Sequence, residues 1–409
     1  HAGSDLGLAS TKAVPQADGA YLVSGTKIFI SGGEHDLTDN IVHLVLARLP
    51  DAPAGPKGLS LFLVPKFYAD GTRSHVHCER IEEKMGIHGS PTCVMRFDEA
   101  RAWLVGDIGR GLNAMFVMMN AARLHVALQG VGLLDAAWQK ADAYAHERRQ
   151  MRAPRSKDAS QTVAGDKGKA SADLIIEHPA VRRILDTQRA WVDGARVLAY
   201  ETGLALDEAK HHPDPAQREA AQRWCALITP ILKASCTDQG FHGASDCLQV
   251  FGGHGYVSEW GIEQNVRDAR IAMIYEGTNE IQAIDLLMRK VVSDGGAAMN
   301  AMLDALGSSL STSQAHEAQV LQLFDQLKAT THTCVQAAQQ PDGQVRLSWI
   351  AGDYLRMATL ALLAWSWTRI EAAQGSDNAR WQAPAQALRA WVLPEFGMRS
   401  GMIEAQLGH

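Results

Sequence analysis

The chain changes texture once, at Gly109-Arg110-Gly111, and no other feature constrains its fold as much. Before that point the apolar residues come in short runs set between turn residues. After it they recur at helical spacing, in stretches too long for strands. Strands and helices segregated along a chain give an α+β architecture or separate domains. The first part carries no helical segment between its strands, which excludes a dinucleotide-binding βαβ unit there.

Within residues 1–107, Ala20-Tyr21-Leu22-Val23-Ser24-Gly25 leads into Thr26-Lys27-Ile28-Phe29-Ile30-Ser31, and Gln16-Ala17-Asp18-Gly19 supplies a hairpin turn before it. Ile41 to Leu46 and Leu59 to Val64 are further strand-like runs, separated by the Pro- and Gly-rich loop Leu49 to Gly58. Val94-Met95-Arg96-Phe97 alternates like a half-buried strand. The expectation is a meander or small barrel. Residues 112–149, 178–210 and 215–237 predict helices. Met151 to Asp173 is polar, almost free of large apolar residues, and predicts a mobile insertion. From 298 onward the pattern is helical again, with a linker-like Gly-Ser-Ser-Leu-Ser-Thr-Ser at 307–313. Three domains are expected: 1–107, 108–297 and 298–409.

Composition narrows the function classes. The 409 residues exceed what a single core usually serves. The longest apolar cluster, Met357 to Trp367, falls well short of the roughly 20 residues of a membrane span. A net charge of −6 gives no electrostatic reason to expect nucleic acid or anionic membrane as a partner. Residues 298–409 hold seven basic against nine acidic residues, so this segment offers no basic face to nucleic acid. Its tryptophans, Trp349, Trp365, Trp367, Trp381 and Trp391, are expected in a helical core or a subunit contact. Cys78, Cys93, Cys225, Cys236, Cys247 and Cys334 form no close pair, which argues against a disulfide framework or zinc site and for a reducing cytoplasm.

Three short stretches carry chemistry. Leu248-Gln249-Val250-Phe251-Gly252-Gly253-His254-Gly255-Tyr256 follows a helix with glycines that permit positive φ and close approach of a phosphate; taken alone it reads as a helix end and tight turn. Arg267-Asp268-Ala269-Arg270 alone is a salt-bridged helix face. Ile274-Tyr275-Glu276-Gly277-Thr278-Asn279-Glu280-Ile281-Gln282 sets a carboxylate beside a glycine, at the edge of an apolar segment and just ahead of a helix. Asn279 and Gln282 fit a capping box, and Glu280 complements the helix dipole. Glu276 lies before that helix, free for another task. A carboxylate so placed is costly to desolvate, which is how a protein makes a general base from Glu.

The order of these three motifs resembles the acyl-CoA dehydrogenase family. The likeness extends upstream. His1-Ala2-Gly3-Ser4-Asp5 looks like the end of the family's Thr-Glu-Pro-x-Ala-Gly-Ser-Asp motif, Lys27 to Gly33 like its flavin-contacting strand, Asn120-Ala121-Ala122-Arg123 like the helix that reaches CoA, and Tyr144 to Arg149 like its Tyr-Ala-x-x-Arg helix. The segment beyond 298, with Leu393-Pro394-Glu395-Phe396-Gly397-Met398-Arg399, looks like the longer branch that includes 3-methylmercaptopropionyl-CoA dehydrogenase-type proteins. The resemblance implies a truncated middle β-barrel-like domain, a C-terminal helical bundle and an additional helical domain. The chain would then start inside a family motif, N-terminally truncated.

It implies FAD as cofactor and α,β-dehydrogenation of an acyl-CoA thioester to the trans-2-enoyl-CoA. Glu276 would take the α-proton while hydride leaves for flavin N5. Phe29, Ile30 and Ser31 would border the flavin ring. Arg148, Gln249, Gly252 and Gly253 would hold the pyrophosphate and adenosine, largely across a subunit interface, with further cofactor contacts at Thr278 and Glu280. Ser4, Asn120, Arg123 and Gly277 would face the substrate, Asn120 standing where many members have Asp. A homodimer or dimer of dimers and an electron-transfer flavoprotein as acceptor follow from the same likeness. So do two alternatives: an acyl-CoA oxidase on the same fold, and a DNA-binding relative that the charge balance disfavours. No metal is expected.

Overall fold

A computed structural model describes residues 3–154, 172–373 and 379–408, and of Asn120 the backbone alone. The chain forms two compact units, His1–Ala122 and Arg123–His409.

The first unit is built on six strands, β1 (Lys12–Pro15), β2 (Tyr21–Ser31), β3 (Val42–Arg48), β4 (Leu59–Pro65), β5 (Val76–Ile81) and β6 (Thr92–Val105). The expected turn is present: Gln16 N–H donates to Ala20 O, and Gly19 takes φ +82°. The order β2-β1-β3-β4-β6-β5 closes on itself because β6 also pairs with β2, so the barrel alternative holds over an open meander. Two features depart from a meander. β1 meets β3 in parallel, at Lys12 and Arg48. And β6 is 14 residues long, far beyond the four residues legible in sequence, because it serves three partners. Inside the ring, small Ala13, Ala47, Ala100 and Ala102 interdigitate with Phe62, Met95 and Phe97.

Within β2 the register slips. Lys27 pairs with Met95 and Ile30 with Cys93, so Ile28 and Phe29 together oppose Val94. This is a β-bulge, and Phe29 pays for it with φ +60°. Its ring is 68% exposed.

The second unit is helical. Within it run the end of α1 (Gly111–Glu147), α2 (Pro179–His211), α3 (Pro215–Val250), α4 (Ile262–Arg270), α5 (Asn279–Ile284, continued as a π-helical stretch Asp285–Val291), α6 (Ala297–Gly307), α7 (Ala315–Ala337), α8 (Gly343–Ala373), α9 (Ala379–Ala387) and α10 (Glu395–Leu407). The first two predicted helices match closely. The third runs 13 residues past its predicted end at 237 and absorbs Gly240 and Gly243. Those glycines serve packing: a Cβ on Gly240 would lie 2.8 Å from Gly130 O of α1, and one on Gly130 would lie 2.3 Å from Cys236 O. Two backbones at that distance tolerate no side chain.

The second unit's larger apolar cluster draws on residues from Leu124 to Leu407, and a second one gathers Ala137, Ala141, Leu185, Cys247 and Phe251. Met357 to Thr368 is buried on every side, so the longest apolar cluster is the central pillar of this unit. No helix among the described residues is long and apolar enough to cross a membrane. Trp365 and Trp367 are buried as expected. Trp349 and Trp391 are exposed instead, the latter with the Arg183 guanidinium 4.0 Å above its ring. Most of the predicted insertion, residues 155–171, lies outside the described residues. Its flanks are tied together, Gln150 N–H donating to Asp173 O and Asp173 N–H to Met151 O.

Candidate active site

The segment between α4 and α5 carries Glu276 in a conformation that side chains avoid. Glu276 has φ +56° and Gly277 has φ +84°. A left-handed non-glycine residue costs about 1–2 kcal/mol and persists only where its surroundings fix it. Here they do. Gln282, wholly buried, donates from Nε2 to Glu276 O (3.1 Å) and Gly277 O (3.3 Å). Lys233, 0% exposed on α3, donates from Nζ to Gly277 O (2.7 Å) and Asn279 Oδ1 (3.0 Å). Asn279 returns a bond from Nδ2 to Ala234 O (3.1 Å), and Thr237 Oγ1 donates to Asn279 Oδ1 (3.1 Å). Just before the loop, the Tyr275 hydroxyl donates to Gln129 Oε1 of α1.

These contacts correct the expected capping box. Thr278 is the cap, its Oγ1 accepting from Ile281 N–H at 3.4 Å. Asn279 is one residue too late and turns to α3. Gln282 reaches carbonyls of the loop, not the N–H groups of the helix start. Glu280 sits exposed in the first turn, where its charge suits the helix dipole.

The electrostatics around the loop are mixed. Burial pulls the Lys233 ammonium down to about 8, the nearby Arg123 guanidinium pushes the same way, and Glu276 and Glu280 oppose both. Burial raises the Tyr275 hydroxyl. Arg123 Nε is buried with no hydrogen-bond partner among the described residues, a costly condition for a cationic donor. Arg123, Lys233, Glu276, Gly277, Thr278 and Glu280 thus belong to one neighbourhood. The side chain of Asn120 lies outside the described residues.

A second group gathers at the far end of α3. Sixteen residues separate Lys233 from Gln249, about 24 Å along a helix. There α3 ends, and Gly252 to Tyr256 form a 3₁₀ turn with Gly252 at φ +57°. Tyr144, four residues before Arg148 in the last turns of α1, stacks on Phe251 (4.2 Å between centroids) and hydrogen-bonds His254 Nδ1 through its hydroxyl (2.8 Å). Trp260 stacks on His254 in turn (4.5 Å). This aromatic clasp brings the α1 terminus to the glycine turn. Arg148, Gln249, Gly252 and Gly253 are all exposed. An added Cβ at either glycine would meet nothing within 4 Å, so the turn is an open cradle; the exposed Arg148 guanidinium donates from Nη2 to Gln150 Oε1 at 3.4 Å. Phosphate oxygens and a planar cofactor suit such donors.

In the first unit, Phe29, Ile30 and Ser31 lie on and beside the bulge, and Ser4 is exposed in a turn that precedes β1. The exposed, left-handed aromatic at Phe29 was not legible in the sequence as a strained position. Neither was Lys233, although a lysine inside Leu227-Ile228-Thr229-Pro230-Ile231-Leu232-Lys233-Ala234 was the signal that could have found it. Among the described residues, no group of His, Cys, Asp and Glu is arranged to hold a metal ion.

Residues 1–100 match the middle domain of acyl-CoA dehydrogenases, and residues 164–291 match their C-terminal domain. The chain belongs to the acyl-CoA dehydrogenase family, whose members are FAD-dependent. It is 42% identical over 399 residues to 3-methylmercaptopropionyl-CoA dehydrogenase of Ruegeria pomeroyi, across 93% of this chain and 66% of that protein. Two solved structures share the fold. One is Caenorhabditis elegans ACDH-11 in complex with C11-CoA (TM-score 0.75, 22% identity, 100% of this chain and 67% of that one). The other is a Bacillus anthracis acyl-CoA dehydrogenase complexed with FAD (TM-score 0.76, 19% identity, 98% and 66%). The chain spans between about half and two thirds of the length of the curated relatives it matches, from 46% to 66%.

Proposed function

We propose that the protein to which this chain belongs dehydrogenates an acyl-CoA thioester between Cα and Cβ, with Glu276 as the base that accepts the α-proton. The observation that carries the reading is the Glu276–Gly277 loop. A carboxylate on a strained, left-handed residue, with the carbonyls on its C-terminal side tied from both α3 and α5, is held for a purpose that an ordinary turn does not need.

FAD, when bound, supplies the hydride acceptor. The residues present suit it: the exposed Phe29 on its bulge, with Ile30 and Ser31, for the flavin ring, Arg148, Gln249, Gly252 and Gly253 for the pyrophosphate and adenosine, and Thr278 and Glu280 for further cofactor contacts. Everything else in the reaction falls to the chain. The Glu276 N–H donates where enolate charge develops on the thioester oxygen, a term that grows as water leaves. Arg123, with its unpartnered buried Nε, is assigned to the CoA portion, and Ser4, Asn120 and Gly277 are assigned to the substrate in the same reading. The 24 Å between the glycine turn and Lys233 supports a shared cofactor site in which each subunit's cradle serves its neighbour, hence a homodimer or dimer of dimers. An electron-transfer flavoprotein is the proposed acceptor and the cytoplasm the proposed compartment. The division into 1–107, 108–297 and 298–409 is part of the same reading.

The test is Glu276→Gln in the complete protein, an isosteric change that removes the proton acceptor. FAD content should stay normal while acyl-CoA-driven flavin bleaching slows by about 10²–10⁴-fold. Bleaching at the wild-type rate would remove Glu276 from the mechanism. A panel of short, branched, thioether, aromatic and long acyl-CoAs then identifies the substrate.

A further inference from the structure

Lysine is an unusual choice for the interior of a helix packed in an apolar core. Methionine would fill the same volume without the cost of burying an ammonium. Lys233 is nevertheless wholly buried, between Leu232 and Ala234 on α3, and its Nζ spends two of three donors on the loop: Gly277 O at 2.7 Å and Asn279 Oδ1 at 3.0 Å. The Gly277 carbonyl is the second after Glu276. Gln282 Nε2 holds the same carbonyl at 3.3 Å and that of Glu276 at 3.1 Å. Asn279 is fastened to α3 a second time through Ala234 O and a third through Thr237.

Each tied carbonyl fixes one peptide plane. Gln282 sets the plane that leaves Glu276, and Lys233 sets the next, at Gly277–Thr278. With both fixed, the Glu276 Cα–Cβ direction is set by the backbone, and the carboxylate keeps only its own side-chain rotations. The ammonium reaches both acceptors from a single stem and still holds a third donor.

We propose that Lys233 is a positioning residue for the reaction: it holds the left-handed Glu276–Gly277 backbone in place from α3, so that the carboxylate keeps its angle to the substrate. The proposal rests on the reading of Glu276 as the base. It predicts a loss in the rate of proton transfer without a matching loss in binding, since a displacement of about 1 Å can cost 10²-fold in rate.

Lys233→Met in the complete protein keeps the stem and deletes the donors. We expect normal FAD content and an acyl-CoA dissociation constant within about threefold of wild type. The limiting rate of flavin reduction should fall about 10–100-fold. Amides of residues 276–282 should exchange hydrogen at least about tenfold faster without substrate, while those of 240–250 stay unchanged. Lys233→Arg, which restores donors, should recover part of both losses. A Lys233→Met protein with wild-type reduction rate, or with unaltered exchange at 276–282, overturns the proposal. If Lys233→Met does not fold, Asn279→Ala removes one anchor and leaves the lysine's packing intact. A rate loss at constant affinity then supports the proposal, and a wild-type rate overturns it. Failure of the base assignment shows separately, as normal bleaching in Glu276→Gln, and leaves the exchange measurement on Lys233→Met still decisive for the loop.

Discussion

An added Cβ at Gly252 or Gly253 would meet nothing within 4 Å, whereas one at Gly277 would lie 2.6 Å from Gln282 Nε2. Both turns follow a helix and both contain a left-handed residue, yet they are made for opposite ends. The first is open at its glycines and held through Phe251 and His254 by an aromatic clasp, Tyr144 on Phe251 and Trp260 on His254, that leaves Gly252 and Gly253 uncovered. The second is filled by its own protein, with Lys233, Gln282 and Asn279 occupying the hydrogen-bonding positions around it. A turn left open can receive a ligand's atoms. A turn filled from within can hold one side chain at a fixed angle.

Substituting the two turns should therefore give opposite phenotypes. The larger effect is expected at Gly277→Ala, where the new methyl must displace Gln282 and the residue loses its freedom at φ +84°. Flavin reduction by acyl-CoA should fall by about 10²-fold with FAD retained, as a misdirected base requires. Stopped-flow reduction together with flavin quantitation checks this, and loss of FAD instead would blur the distinction between the turns. Next comes Gly253→Val. Its side chain has room, so the helices should keep their melting temperature within about 2 °C. FAD should bind about tenfold more weakly, because the side chain occupies space meant for the cofactor. Equilibrium flavin titration beside thermal melting reads both, and undiminished FAD affinity would mean that the open turn serves something else.

The smallest effect concerns two desolvated ammonium groups, Lys27, half-buried, and Lys233, wholly buried. Lys27 donates to Leu46 O at 2.9 Å, and burial pulls it down to about 8, as it does Lys233. Both bind a proton less tightly in the folded chain than in the unfolded one. Between pH 8 and the ordinary lysine value the unfolded chain holds more protons, so stability rises with pH through that window. Buried thiols act in the opposite sense from about pH 8 upward, Cys225 being raised to about 11 and Cys236 to about 12, but they are common to wild type and variant and cancel in the comparison. The informative interval is pH 8 to 9. There Lys27→Met should lose a gain of about 1 kcal/mol or less relative to wild type, measurable by urea melts. A parallel slope in both proteins would show that Lys27 is not desolvated.

Much of this contrast was legible before any coordinates. The texture change at 109–111, the Gln16–Gly19 turn and the first two long helices of the second unit follow from local rules. So does the suspicion that Glu276 was set apart from its helix. What failed to show was decided by partners far away in sequence. β5 was missed because Val76-His77-Cys78-Glu79-Arg80-Ile81 is polar on most positions, as an edge strand can be. The end of α3 was misread because Gly240 and Gly243 look like breakers until the crossing with Gly130 explains the first and the packing of Gln188 and Leu134 explains the second. The cap moved from Asn279 to Thr278 because the Asn279 side chain had bonds to make with α3. Lys233 passed unmarked inside an apolar run, because its meaning depended on a carbonyl 44 residues later.

The closure of the barrel by its final strand has a consequence in time. Synthesis runs from the N-terminus, and β2 is complete at Ser31 while β6 ends only at Val105. At about 5–20 residues per second, the 74 intervening residues take roughly 4–15 s to make. Throughout that interval one edge of an eleven-residue strand has no neighbour, since its other edge takes β1 and only β6 can cover the remaining one. An unpaired edge of that length invites pairing with other nascent chains. On the ribosome, then, the vulnerable stage of this protein is the wait for residues 92–105, and codon-level slowing between 32 and 91 should raise aggregation more than the same slowing placed after 105.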